Sequence, residues 1–266
     1  MKILASFLLA TLCLSFPSSG VAQSFLNPNT PQGSFEVELR MLHPELGSEI
    51  DLFTAAYMAS MRLQVDEGFH VTLAIPYVAT NESNIDNESD FGAIEAGILV
   101  ENSHGPESVS LVSGSISLPT TPDNFVVPFL GLLSDWEGFR HYAPDRATLH
   151  GNYGFRARGE QLSGGFDVGA DISIPTEDND QDTELILYYG FSGAVQLSEA
   201  FELGSEFLGT WLATSDSDDN LSHSVMLGGR LVNVPVRPTF FIKLYIAEGF
   251  LEEVDHVIGL KVNLGN

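Results

Sequence analysis

From residue 33 onward the chain alternates apolar and polar residues in short runs, the period of two expected of β-strands with one apolar face. In FEVELRM, residues 35–41, Phe35, Val37, Leu39 and Met41 share one face and Glu36, Glu38 and Arg40 the other. Runs of this kind fall at residues 33–43, 50–65, 68–79, 91–102, 108–118, 145–158, 162–175, 184–196, 200–213, 221–234, 238–247 and 253–264. They predict twelve strands. An even count returns both ends to one side, and the connections follow suit: short turns at 66–67, 103–106, 159–161, 197–199 and 235–237 alternate with longer, acidic stretches. The predicted fold class is therefore all-β: a transmembrane antiparallel up-and-down β-barrel of about 12 strands, with one short helical segment in an extracellular loop. A soluble β-sandwich also alternates. Charged residues on the inward faces and the asymmetry of the connections favour the barrel.

A barrel in lipid turns its apolar set outward. In the last run Val254, His256, Ile258, Leu260, Val262 and Leu264 would meet lipid, with Asp255, Gly259, Lys261 and Asn263 inside. In residues 145–158, Leu149, Tyr153 and Phe155 point out and His150, Asn152, Arg156 and Arg158 in. Phe35, Phe69 and Phe201 would stand at the periplasmic interface, and Tyr77 and Trp211 toward the outer one, where amphipathic rings sit between headgroups and acyl chains.

Residues 1–22 read as a signal peptide: Lys2, an apolar run over 3–16, the helix breaker Pro17, and the small pair Gly20 and Ala22 ahead of a cleavage before Gln23. Residues 23–266 would form the barrel. The apolar run falls short of the roughly 18 residues that span a bilayer. The single cysteine, Cys13, leaves with this segment, which excludes disulfides and thiolate chemistry. The expected location is the outer membrane of a Gram-negative-type bacterium, reached through the periplasm, with membrane lipid and lipopolysaccharide as partners.

Thirty-six acids stand against eleven bases. That balance argues against nucleic acid, whose phosphates need Lys and Arg. It is consistent either with solubility in salty water or with cation selection at a pore mouth.

The blocks GFHVTLAIPYVAT (68–80), DFGAIEAGILVE (90–101) and SGSISLPT (113–120) carry Pro76, Tyr77 and Val78, then Phe91 and Gly92, then Leu118, Pro119 and Thr120. With the closing segment 237–264, they resemble the outer-membrane transporter group named after the meta-pathway of phenol degradation. The resemblance implies a transporter-like barrel and carries no functional residues across. This chain ends Leu264, Gly265, Asn266 rather than in an aromatic residue.

Chemistry-bearing candidates are few. Residues 121–136 (TPDNFVVPFLGLLSDW) predict a short helix capped by Thr121, with Pro122 first in it and Pro128 breaking it. An apolar segment in an outer loop must bury itself, so Phe125, Val126, Phe129, Leu130 and Leu133 are candidates for a gate or plug in the mouth; a cap on the rim is the alternative. Glu36, Glu38, Arg40, Arg156, Arg158, Asp167, Asp171, Glu202, Glu206, Arg230, Lys243 and Lys261 are candidates for a charged lumen lining, either as structural pairs or as a selective path. Asp178, Asp180, Asp182 and Glu184 lack the glycine and the bidentate Glu of a calcium loop, so no metal is expected. Ser222, His223 and Ser224 cannot form a dyad on a strand, because neighbours face opposite ways; His70 and His150 are inward without a visible partner. No enzyme activity and no cofactor are expected. The expected function is a channel or transporter for passive or gated passage of a small-molecule solute, hydrophobic ones included. The alternative is a structural or surface-interaction barrel with a plugged lumen.

Overall fold

The computed structural model describes residues 33–45, 54–80, 89–122, 126–177, 182–214, 220–246 and 254–265. The leader, Phe125, and the core of the acidic stretch with Asp178 and Asp180 lie outside the described residues. The strands are β1 (Phe35–Glu45), β2 (Ala55–Asp66), β3 (Phe69–Ala79), β4 (Ser89–Phe91), β5 (Glu95–Ser103), β6 (Ser108–Ser117), β7 (Arg146–Arg158), β8 (Leu162–Pro175), β9 (Glu184–Gln196), β10 (Phe201–Leu212), β11 (Leu221–Leu231), β12 (Val236–Ile246) and β13 (His256–Gly265).

Every strand except β4 pairs antiparallel with the next, and β13 returns to β1, with Glu36 opposite Gly265 and Glu45 opposite His256. The result is a closed barrel of twelve strand positions with one extra short strand, because β4 and β5 both pair with β3 and share a position. Closure leaves no open edge, the condition for a sheet to sit in hydrocarbon.

One strand differs from the sequence expectation. The run read as continuous over 91–102 is broken at residues 92–94, and its register against β3 slips there. Pro76 on β3 has no N–H for the ladder. The freed groups find other partners: Gly92 N donates to Pro76 O at 3.1 Å, Ala93 N to His141 O at 2.7 Å and Ile94 N to Thr120 Oγ1 at 3.0 Å. A Cβ at position 92 would strike the His141 carbonyl, so only glycine allows this approach.

The connection from β6 to β7 carries helix α1 (Val126–Ser134) and a 3₁₀ turn (Trp136–His141). Pro122, read from sequence as the first helical residue after a Thr121 cap, is not helical. The described helix runs on through Pro128, which does not break it.

The outer wall carries Leu39, Val71, Ile98, Leu149, Ile172, Phe191, Leu227, Phe240 and Ile258, all exposed. Tyr57, Tyr77 and Phe91 cluster on it near the long-loop end, with ring centroids 6.3 and 5.2 Å apart. The last strand starts at His256, so Val254 and Asp255 precede it: Val254 is buried with Leu42, Leu133, Leu208, Met226, Phe241 and Val257, and Asp255 is exposed.

Candidate functional site: the lumen and its insert

Alternation along β1, β2 and β7 to β13 puts every Lys and Arg after Lys2 on the inward face, except Arg140, which the insert supplies. The outer wall has none. Charges inside a barrel need partners, and the strands place them at cross-strand distances. Arg62 pairs with Glu36 at 3.0 Å, Lys261 with Glu38 at 3.1 Å, Arg156 with Asp167 at 2.9 Å and Arg230 with Glu202 at 3.3 Å. Glu206 is buried inward, and Arg158 reaches Gln196 Oε1 at 3.5 Å.

The insert enters this lumen and binds five strands through its polar turn. Asp135 accepts from Arg40 of β1 at 2.9 Å. Glu137 accepts from Lys243 of β12 at 2.6 Å and from the Ser224 hydroxyl of β11. Arg140 meets Glu95 of β5 at 2.5 Å and Asp171 of β8 at 3.7 Å. Trp136 N donates to the Tyr245 hydroxyl at 3.2 Å. The helix adds apolar contacts: Leu130 and Val127 pack with Ala56, Val78 and Tyr142, and Leu133 joins the cluster around Phe241. Phe129 is 39% exposed. Burial pushes Asp135 up, but Arg40 and Lys243 outweigh it and hold its carboxyl below the usual range. Burial, with the Arg140 guanidinium beside it, pushes His141 down to about 4.

Space remains in two places. A cavity of about 140 Å³ lies against β1 to β7 and is lined by Glu36, Glu38, Arg40, Ser60, Arg62, Thr72, Ala74, Glu95, Ser113, Ser115, Arg140, His141 and His150. A second of about 50 Å³ lies against β7, β9 and β10 and is lined by Asp135, Glu137, Asn152, Tyr188 and Thr210. Both touch Arg40, Arg140, His141 and His150, so residues 135–141 and the Arg40 side chain divide them.

His150 has partners that sequence reasoning missed: Nδ1 is 2.6 Å from Asp171 Oδ1, and the Tyr188 ring stacks on it at 5.5 Å and 3°. The signal was present only as register, since His150 lies opposite Asp171. Ser222 and Ser224 are inward; His223 sits on the outer face with Nε2 2.8 Å from the Tyr189 hydroxyl. His70 is buried, and among the described residues its Nδ1 has no hydrogen-bond partner. Among the described residues no three His, Cys, Asp or Glu side chains gather to hold a metal.

An apolar outer wall, a charge-lined interior and an insert folded inward between two strands define a class by fold, the closed antiparallel β-barrel of the membrane-spanning type. In fold the chain is similar to the COG4313 outer membrane channel from Pseudomonas putida F1, with a TM-score of 0.62 at 11% identity, covering 94% of this chain and 99% of that one. It is similar also to the NanC porin (TM-score 0.53, 6% identity, 85% and 97% covered) and to the KdgM porin in complex with disordered oligogalacturonate (0.52, 8%, 87% and 99%). No protein-family model matches the chain, and no curated protein matches its sequence.

Proposed function

We propose that residues 23–266 form an outer-membrane channel for passive or gated passage of small molecules, exported by the leader 1–22 and held in lipid and lipopolysaccharide by the apolar wall. The observation that carries this reading is the interior: ion-paired side chains line it, yet two cavities persist on either side of the insert. A lumen rimmed by paired charges favours polar solutes, because an apolar one would strip water from those charges without replacing its hydrogen bonds. The fold shared with channels and porins supports passage, and the motifs at 76–78, 91–92 and 118–120 support placing the chain near the phenol meta-pathway transporter group.

In this reading Phe125, Val126, Phe129, Leu130 and Leu133 belong to a gate that α1 forms in the mouth, and Glu36, Glu38, Arg40, Arg156, Arg158, Asp167, Asp171, Glu202, Glu206, Arg230, Lys243 and Lys261 set the polarity of the path. The connections at the long-loop end contain no Lys or Arg outside the insert, so they attract cations. Planar-bilayer recording of the refolded protein tests the reading: discrete conductance steps support it, and a barrel that stays silent with and without residues 125–133 refutes it. The second reading, a structural barrel with a filled lumen, draws on the completely buried Arg156, Lys243 and Lys261, which tie neighbouring strands and the insert together as braces would.

A further inference from the structure

The larger cavity has features the passage reading does not use. Its wall carries the small inward residues Ser60, Ala74, Ser113 and Ser115, and Gly97 stands opposite Ser115 on the strand between, which is why side chains leave about 140 Å³ open there. That volume is close to the roughly 150 Å³ of an engineered cavity that holds benzene, so a ligand of about six to eight heavy atoms fits.

The polar atoms on this wall point to the ligand's chemistry. His141 is 4% exposed and lines the cavity, yet among the described residues its Nδ1 makes no hydrogen bond; the Ser113 and Ser115 hydroxyls are likewise buried and unpartnered. His141 Nε2 lies 3.7 Å from the Glu95 carboxylate, which favours the tautomer with the proton on Nε2. Nδ1 is then an acceptor that wants a donor, and an ammonium group supplies one. The serine hydroxyls are donors for a carboxylate. Three guanidinium groups and three carboxylates surround the same space, so a lone cation or anion meets as many like charges as opposite ones, whereas a ligand carrying both signs answers both.

We propose that this cavity binds a small zwitterion of the amino-acid type, its ammonium toward His141 and Glu95 and its carboxylate toward Ser113 and Ser115. The site rests on the passage reading only for how the solute arrives. The test is equilibrium binding to the full refolded barrel in detergent micelles, followed by saturation-transfer NMR with L-alanine and three analogues of similar size: L-alaninamide (cation), L-lactate (anion) and L-lactamide (neutral).

Saturable binding of L-alanine, at least tenfold tighter than any analogue, is expected. His141→Phe should weaken it at least tenfold, and Ser60→Leu with Ser113→Leu, which fill the cavity from two strands, should abolish it; heat-modifiable gel migration verifies that each variant folds. Equal binding of all four compounds, preference for an analogue, or unchanged binding in the filled variant overturns the site. A conducting barrel that binds no L-alanine overturns the site alone, while L-alanine binding to a barrel that never conducts keeps the site and overturns passage.

Discussion

Two halves of the same lumen are built in opposite ways. Around β10 to β13 the interior is packed: Leu208, Met226, Phe241 and Val257 meet Leu42 and Leu133, and Lys243 sits fully buried between Glu137 and the Tyr245 ring, 4.6 Å from its centroid. Around β2 to β6 serine, alanine and glycine occupy the equivalent inward places and a cavity remains. Both halves are antiparallel sheet, and apart from the break between β4 and β5 the difference lies in inward side-chain volume. A barrel wall can thus be packed on one side and open on the other, and the insert is fastened to both, by Lys243 and Tyr245 on the packed side and by Glu95 on the open one.

The contrast can be broken in several ways. Removing residues 125–133 takes away the apolar anchor between the halves and should raise single-channel conductance several-fold; an unchanged conductance would mean that α1 does not limit the path. In the packed half Lys243→Met strands the Glu137 carboxylate and should cost about 3–5 kcal/mol, read from urea unfolding of the refolded barrel. Arg62→Met leaves the buried Glu36 carboxylate beside the open cavity, which has room for water, and should cost less, about 1–3 kcal/mol. Equal losses would erase the distinction.

Acid provides a third handle. His141 titrates at about 4 when folded and at 6.5 otherwise, so between those values the unfolded chain takes up the proton first. Its contribution is complete above about pH 6.5 and is lost as pH falls toward 4, by up to about 3 kcal/mol. Arg140, Glu95, Asp135 and Arg40 face it, and the carboxylates among them add their own acid dependence at lower pH. The difference in unfolding midpoint between wild type and His141→Gln, followed from pH 7 to 4, isolates the histidine; parallel curves would contradict its assignment. The smallest effect is expected of Ser113→Ala, within about 0.5 kcal/mol, because it borders open space; a large loss would show that the open half is packed after all.

Much of the barrel was legible because a period of two is written into the chain wherever one face meets lipid and the other does not. Residues 145–158 illustrate this, with Leu149 and Tyr153 exposed outward and Arg156 buried inward. The break at residues 92–94 was not legible, since it arises from Pro76 on another strand and from the His141 carbonyl of the insert. Pro122 was misread as helical because Thr121 and Pro122 form a good cap in isolation, whereas Thr121 is buried shortly after β6. Contacts such as Lys243 with Glu137 join positions 106 apart and depend on where the insert docks, and no local pattern encodes that. The open half was hidden for a related reason: Ser60, Ala74, Gly97, Ser113 and Ser115 are unremarkable until strand register sets them side by side.

On the passage reading, the open half of the lumen conducts. Current through the refolded protein in a planar bilayer under a salt gradient is the decisive test. Discrete steps with a reversal potential displaced toward cations, larger after removal of residues 125–133, are predicted. Silence in both forms, under conditions where the barrel is demonstrably folded and inserted, would contradict it.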